Sequence, residues 1–165
     1  MNLYRILYIN KHDARLVQRD KLFKRLNNLL LFTASDLNDI ISYKGLKPIA
    51  DSRFFDVKDL TNKAFSAPEL SLKFRSLTRM RGIGMTLASE ILAFQNPYKH
   101  AAISHKVWNT LVKDFGLPGA EKKPGDDFAV KDYETYILTV SSLAEEHGMN
   151  PADVEFVLNY LYDKK

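Results

Sequence analysis

Apolar residues recur every three or four positions along most of the chain, which is the spacing of amphipathic helices. Near the C-terminus this pattern begins at Tyr133 and ends at Gly148, a residue typical of helix ends. Asn150 followed by Pro151 then predicts the N-cap and the first residue of a last helix. We therefore expect two packed C-terminal helices over about 130–163.

The upstream helices are marked by the same spacing and by capping residues. Residues 14–31 have a helical pattern, and Ser35 or Asp36 can cap the helix that follows. Ser66 and Glu69 have the spacing of a capping box before another helix. No alternating strand pair or repeat occurs, so the sequence predicts an all-α fold of about seven or eight helices. The first nine residues are ambiguous.

Two segments rich in Pro and Gly are predicted loops, namely residues 117–130 and the stretch from Gly45 to Phe55. The length of 165 residues and the hydrophobic content of 45% suit a single compact helical domain over residues 1–165. No apolar run approaches the roughly 20 residues of a membrane span, and the N-terminus does not resemble a signal peptide. The lack of Cys excludes disulfides and thiolate chemistry. We expect a cytoplasmic protein without a membrane partner.

Charge is distributed unevenly along the chain. The net charge is +4, but the first 30 residues carry seven basic and two acidic side chains, and the segment from residue 117 carries five basic and ten acidic ones. A basic region of this kind favours a polyanionic partner, because Lys and Arg release counterions from a phosphate backbone. For residues 11–25 the alternative is a solvated helix surface.

The segment best suited to such a partner is residues 77–94, where one helix ends, two glycines flank Ile83, and a second helix begins at once. Gly82 and Gly84 can adopt positive φ and expose backbone amides, and the start of the second helix adds free amides and a positive dipole end. A cluster of basic side chains precedes the turn: Lys73, Arg75, Arg79 and Arg81. We expect a phosphate-binding site here, and a purely structural interhelical turn is the alternative.

The Leu-x-x-Met-x-Gly-Ile-Gly-x-x-x-Ala segment and the residues up to Trp108 resemble the helix-hairpin-helix DNA glycosylases, which combine this hairpin with a Gly/Pro-rich loop and a catalytic Asp. The resemblance covers roughly residues 70–115, with the hairpin at about 70–95 and the loop and following helix at about 96–115. It implies two helical lobes around a cleft, duplex DNA as the partner, and a relation to base excision repair. The expected DNA contacts are Arg79, Arg81, Gly82, Ile83, Gly84, Met85 and Lys106.

The positions that carry chemistry in this family hold different residues here. The resemblance places Ser104 where the family has its Asp, and Thr86 where lyase-competent members have a Schiff-base Lys. A serine hydroxyl offers no negative charge to a cationic sugar, so transition-state stabilisation should be lost. Glu90 and His105 are candidate substitutes, and a one-residue offset would put His105 at the Asp position. The alternative for Glu90 is a solvent-facing helical carboxylate.

Three functions follow from this pattern. The leading interpretation is a DNA-binding protein with a degenerate glycosylase site, in which catalytic activity is weak or absent. The first alternative is an active DNA N-glycosylase that uses a substitute catalytic residue. The second alternative is a helical protein-interaction module whose hairpin is structural. Whether the chain is an enzyme, and in which oligomeric state it exists, stays open.

The sequence contains no motif for an organic cofactor, and its four His residues lack the spacing of zinc ligands. The resemblance implies a monovalent cation bound by the main-chain carbonyls of Thr78, Met80 and Ile83. Trp108 is expected in the core. Four aromatic residues in or near loops are candidates for stacking on bases: Tyr43, Phe54, Phe55 and Tyr98.

Overall fold

The computed structural model describes residues 2–48 and 56–164, which form nine helices and no strand. In chain order the helices are α1 (Leu3–Ile9), α2 (Ala14–Leu26), α3 (Ala34–Tyr43), α4 (Val57–Ser66), α5 (Leu70–Thr78), α6 (Met85–Gln95), α7 (His105–Asp114), α8 (Val130–His147) and α9 (Pro151–Asp163). The all-α prediction is confirmed for these ranges. The N-terminal segment, ambiguous in sequence, forms α1, and the Asn2 side chain caps it by accepting from the Arg5 amide at 3.0 Å.

The second helix is shorter than its apolar pattern predicted. Asp13 caps it by accepting from the Arg15 amide at 2.8 Å, and the helix ends at Leu26 instead of continuing to residue 31. Asn28 adopts a φ of 61°, which cannot continue a right-handed helix. The backbone already leaves the helical range at Asn27, whose ψ is 133°, and beyond this point the Asn28 amide donates to the Gln95 carbonyl at 2.8 Å.

Two helix starts differ from the predicted ones. Thr33 caps α3 and forms a reciprocal capping box with Asp36, so the cap lies before Ser35. The capping box predicted at Ser66 and Glu69 is wrong. Ser66 is the last residue of α4, where its hydroxyl donates to a carbonyl one turn earlier, and Glu69 precedes α5 without a side-chain cap.

The C-terminal predictions are confirmed. Asn150 accepts from the Asp153 amide at 2.8 Å and Pro151 opens α9, as the sequence indicated. The predicted loop 117–130 lacks helix up to residue 129. Of the second predicted loop, residues 45–48 have no regular structure, and 49–55 lie outside the described residues.

The helices pack in two sets around a continuous apolar core. In one set α2, α3 and α5 contact α6, and α4 packs on α5; in the other, α1, α7 and α8 pack on α9. Helices α5 and α8 join the sets through an edge-to-face contact between Phe74 and Tyr133, with ring centroids 4.7 Å apart. Trp108 is buried, as predicted, and its indole N–H donates to the Ala120 carbonyl at 2.9 Å.

Within residues 2–48 and 56–164, none of the helices combines the length and the apolar character needed to cross a membrane.

Candidate functional site

Helices α5 and α6 form a hairpin around a turn of six residues, 79–84. The turn is closed by the Ile83 amide, which donates to the Met80 carbonyl at 3.0 Å. Ile83 and Met80 are both buried, so they anchor the turn in the core. Gly82 has a φ of 89°, a conformation that strains any residue with a Cβ.

Gly84 differs from Gly82 in its backbone conformation and in its position at the start of α6. Its φ of −89° is open to any residue, so only one of the two glycines uses positive φ. It is the N-cap of α6, and no side chain among the described residues caps that helix. A Cβ added at Gly84 would have no heavy atom within 4 Å, so the backbone there faces open space. The first amides of α6 are therefore directed toward an exposed glycine backbone.

The basic side chains before the turn do not all converge on it. Arg75, Arg79 and Arg81 are exposed. Lys73 is partly buried, and its Nζ donates to the last carbonyls of α4 at 3.1 and 3.2 Å. Burial lowers the pKa of Lys73, and the positive charge of Lys99 adds to this effect. Lys73 thus caps a neighbouring helix, which corrects the predicted four-residue cluster.

A groove of about 240 Å³ lies beside the turn. Gly82, Gly84 and Met85 line one side of it, and Asp126 and Asp127 from the 117–129 loop line another. Lys44 also lines this groove, but the two carboxylates outnumber it, so this side of the turn is unfavourable for an anion.

A second cavity, of about 400 Å³, opens between the end of α3 and the starts of α2, α6 and α7, with α9 as a further wall. We call it the cleft. It brings together five predicted site residues from two separate segments: Thr86, Glu90, Ser104, His105 and Lys106. Tyr43, Lys44 and Glu155 also line it. Spacing along the chain could not place Lys44 or Glu155 beside those five residues.

Ser104 is the N-cap of α7, where its hydroxyl accepts from the Val107 amide at 3.4 Å. His105 is the first residue of that helix. Lys106 forms an ion pair with Asp163 at 2.7 Å, so its predicted contact with phosphate would have to compete with this carboxylate. The start of α7 therefore presents a neutral hydroxyl and an imidazole to the cleft.

Glu90 is buried, and the interpretation of it as a solvent-facing carboxylate is wrong. Helix α6 is covered on nearly every side by α2, α3 and α5, so even its polar positions lie inside. The Glu90 carboxylate pairs with Lys44 Nζ at 2.9 Å. This attraction raises the pKa of Lys44 and outweighs the opposite effect of burial.

Glu155 is a site residue that the sequence analysis missed. It lies on α9 with only 9% of its surface exposed, and the Asn159 side-chain amide donates to its Oε1. Burial, and then the negative charge of Glu90, raise the pKa of Glu155 to about 7, while Lys44 and Arg19 oppose the shift. A signal was present in the sequence, since this carboxylate interrupts an apolar stretch of the last helix.

One member of the basic N-terminal region has a structural role. Arg19 is buried, with its guanidinium between the rings of Phe23 and Phe156, at 4.9 and 5.1 Å from their centroids. It also donates to Asp153 and to the Ala152 carbonyl. Arg19 thus joins α2 to α9, and its charge is not exposed to a polyanion.

The aromatic residues that were candidates for stacking lie in different surroundings. Tyr43 lines the cleft and packs on Phe94 with ring centroids 5.5 Å apart. Tyr98 is 68% exposed and lies outside the cleft. Phe54 and Phe55 lie outside the described residues.

No group of three or more His, Asp or Glu side chains suited to a metal ion occurs in the described part of the chain. A monovalent cation at the hairpin would need carbonyl oxygens with free lone pairs. Met80 O accepts the Ile83 amide and keeps a second lone pair, and the Thr78 and Ile83 carbonyls accept no backbone hydrogen bond from the described residues.

Comparison of the chain with protein-family models, with curated proteins and with solved structures gave no match.

Proposed function

We propose that this protein binds duplex DNA through the α5–α6 hairpin and admits a distorted or extrahelical base to the cleft. The scaffold proposed is that of the helix-hairpin-helix glycosylases, with two helical lobes on either side of the cleft. The observation that carries the proposal is the exposed backbone of Gly82 and Gly84 at the start of α6, which no side chain of the described residues caps, with Arg79 and Arg81 beside it. Free amides, a positive helix end and two guanidinium groups all favour a phosphate oxygen.

The charges around the hairpin turn indicate from which side a DNA phosphate would approach it. Asp126 and Asp127 line the groove on one side of the turn. A phosphate should therefore approach from the side of Arg79 and Arg81, where no carboxylate of the turn itself opposes it.

Helix α6 connects the hairpin to the cleft. Thr86, in its first turn, lies two residues after Gly84 and lines the cleft. Glu90 lies four residues further along the helix, which is about 6 Å at a rise of roughly 1.5 Å per residue. A DNA backbone held at the turn would therefore lie at the mouth of the cleft, within reach of a single extruded nucleotide.

The cleft lacks the two groups on which the family's chemistry depends. Ser104 is a neutral helix cap and Thr86 has no amine, so neither an aspartate-assisted cleavage nor a Schiff base is available at those positions. Binding with weak or absent base release is the function this arrangement supports best. An active glycosylase with a substitute carboxylate is the second candidate, and the burial of Glu90 in the cleft favours it.

A monovalent cation belongs to the same proposal. The carbonyls of Thr78, Met80 and Ile83 would hold it, and it would supply further positive charge beside the phosphate. Duplex DNA is the proposed partner, and the cytoplasm is the proposed location.

The test is a salt-dependent titration of an undamaged duplex with four proteins: the wild type, Arg81→Ala, Gly84→Ala and Lys58→Ala. We expect Arg81→Ala to weaken binding and to reduce the slope of log K against log salt by about one charge. Gly84→Ala should fold normally, because its Cβ has open space around it. It should bind DNA less well, because the same Cβ would obstruct a phosphate that approaches the Gly84 backbone. Lys58 is an exposed cation on α4 outside the hairpin and serves as the control.

Two results would reject this function. One is a wild-type protein that does not bind duplex DNA at low salt, or whose affinity does not change with salt. The other is an equal loss of affinity in Arg81→Ala and in Lys58→Ala, which would mean that the hairpin has no special role. Either result would leave the protein-interaction module as the better interpretation.

A further inference from the structure

A third cavity, of about 360 Å³, lies beyond the end of α6, between α1, α2, the segment that follows α6 and the start of α9. Its volume is within the roughly 300–1,000 Å³ of sites that bind small ligands. A stack of three side chains separates it from the cleft: Phe23 lines this cavity, Phe156 lines the cleft, and the Arg19 guanidinium lies between the two rings. No residue of this cavity lines the cleft or the groove beside the hairpin turn.

Three exposed tyrosine side chains line this cavity, which we call the tyrosine pocket. Tyr4 and Tyr8 lie one turn apart on α1 and are 53% and 58% exposed. Tyr98, in the segment after α6, is 68% exposed. The backbone beside Tyr98 is held in place, because the Pro97 carbonyl accepts from the Ala152 amide at 3.4 Å. Aromatic rings exposed around one pocket favour a ligand with flat apolar faces.

The charged side chains of the tyrosine pocket are three cations and two carboxylates: Lys11, Arg19, Lys24, Asp20 and Asp153. Both carboxylates form ion pairs with Arg19. Among the described residues, Lys11 and Lys24 take part in no ion pair. Lys11 Nζ lies 4.6 Å from the centre of the Tyr8 ring, so a cation stands directly beside an exposed aromatic face. The pocket therefore combines aromatic rings with two cations that no carboxylate neutralises.

Two polar atoms in the wall of the tyrosine pocket are buried without a hydrogen-bond partner among the described residues. They are Arg19 Nε, in a residue that is only 3% exposed, and Asn27 Oδ1. Buried polar atoms are nearly always paired, and an unpaired one costs free energy. This wall is thus suited to a ligand that carries both donors and acceptors, as the edge of every nucleobase does.

The combination of rings and cations indicates which form of nucleic acid fits. Bases inside a duplex are stacked on one another, so an aromatic side chain can pack on a base only where the strand is unpaired. The first 30 residues carry seven basic and two acidic side chains, and this region supplies the α1 and α2 walls of the pocket. Such a charge favours a phosphate backbone over an uncharged aromatic or proline-rich peptide.

We propose that the tyrosine pocket binds an unpaired nucleotide of single-stranded DNA, with the base packed on the tyrosine rings and the phosphates beside Lys11 and Lys24. This inference goes beyond the proposed function and does not depend on it. The hairpin turn precedes α6 and Tyr98 follows it, and the 11 residues of α6 span roughly 16 Å. Stacking on aromatic rings tolerates every base, so the pocket should accept strands of any sequence.

The test uses fluorescence anisotropy with two labelled ligands, an oligothymidylate of about 12 nucleotides, which forms no duplex, and an undamaged duplex. We expect the wild type to bind the oligothymidylate at low salt, and Tyr98→Ala to weaken this binding about tenfold. Tyr98→Phe should bind within about twofold of the wild type, because stacking needs the ring and not the hydroxyl. Lys24→Ala should reduce the slope of log K against log salt by about 0.7, the value for one phosphate of a single strand.

Two further variants separate the tyrosine pocket from the rest of the surface. Leu138→Ala is the control, because Leu138 is 73% exposed on α8 and lines none of the cavities described above. It should bind both ligands like the wild type. Arg81→Ala, at the hairpin, should keep its affinity for the oligothymidylate. Tyr98→Ala should in turn keep its affinity for the duplex.

A measurement on the wild type locates the strand without any variant. In protein with ¹³C-labelled tyrosine rings, oligothymidylate should shift the resonances of Tyr4, Tyr8 and Tyr98. The resonances of Tyr133 and Tyr136 should stay in place, because both rings are buried in the core.

Several results would overturn the inference. The first is a wild-type protein that does not bind oligothymidylate at low salt, and the second is equal binding of it by Tyr98→Ala and Leu138→Ala. A third is a loss of single-strand affinity in Arg81→Ala as large as its loss of duplex affinity, which would place the strand at the hairpin. An oligoproline peptide that shifts the three tyrosine resonances when oligothymidylate does not would assign the pocket to a protein partner. Binding of oligothymidylate but not of the duplex would reject the proposed function and support this inference.

Discussion

The charge of Glu155 should destabilise the folded protein at neutral and alkaline pH. Its pKa is about 7 in the folded state, against 4.5 for an ordinary glutamate, which we take for the unfolded chain. Between these values the folded protein binds more protons than the unfolded one, so the free energy of unfolding must fall as pH rises. The stabilisation is complete below about pH 4.5 and is lost as pH rises through 7.

The magnitude follows from the size of the shift. Each pKa unit corresponds to about 1.4 kcal/mol, so 2.5 units amount to about 3 kcal/mol between pH 4 and pH 8. Glu155→Gln keeps the shape of the side chain and an oxygen that can accept from Asn159. We therefore expect this variant to match the wild type near pH 4 and to be more stable by about 3 kcal/mol at pH 8.

Urea unfolding at several pH values measures this difference, with the fluorescence of Trp108 as the probe, since it is the single Trp and is buried. Glu134→Gln should stay within about 0.5 kcal/mol of the wild type throughout, because its side chain is exposed. A stability difference between Glu155→Gln and the wild type that does not change with pH would refute the reasoning. So would a variant that is less stable at pH 8 than at pH 4, relative to the wild type.

Two further predictions concern other residues of the cleft. Lys44→Met should lower the free energy of unfolding by about 2 kcal/mol at pH 7, because it leaves Glu90 buried without its cation. The double variant with Glu90→Gln should recover most of this loss in the same urea unfolding assay. Losses of stability that simply add in the double variant would contradict the pairing of Lys44 with Glu90. Ser104→Ala should lower the free energy of unfolding by about 1 kcal/mol, because it removes the cap of α7, and should not change the release of bases from DNA. Ser104→Asp should keep the cap and raise base release. Strong wild-type base release that disappears in Ser104→Ala would make Ser104 itself catalytic.

The helices and several of their boundaries could be predicted from the sequence because the signals are local. The cap at Asn150 and the start of α9 at Pro151 depend on hydrogen bonds between residues within one turn. The burial of Trp108 follows from the apolar face of its helix. Local signals fail where a distant partner is involved. The chain after α2 bonds through the Asn28 amide to Gln95, and the Lys73 side chain bonds to the last carbonyls of α4 instead of extending the basic cluster at the turn.

The candidate site also has some features that the sequence predicted and others that only the tertiary structure decided. The motif around Gly82 and Gly84 identified a turn followed by a helix start, and the structure contains both. The resemblance also led to the expectation that Ser104 stands where the family has a carboxylate. Which charged groups line the cleft with it was decided by tertiary structure, because Glu90 lies on α6, Glu155 on α9 and Lys44 directly after α3.

The physical reason is that the burial and the pKa of an ionisable group depend on the residues packed around it. In sequence, Glu90 looks like one polar position of an amphipathic helix, and only the packing of α2, α3 and α5 around α6 buries it. Burial removes water from both carboxyls, and the negative charge of Glu90 adds to the effect of burial in raising the pKa of Glu155. Hydrophobic spacing can determine that helices form, but the raised pKa of Glu155 is determined by burial and by the charge of Glu90, which is far away in the chain.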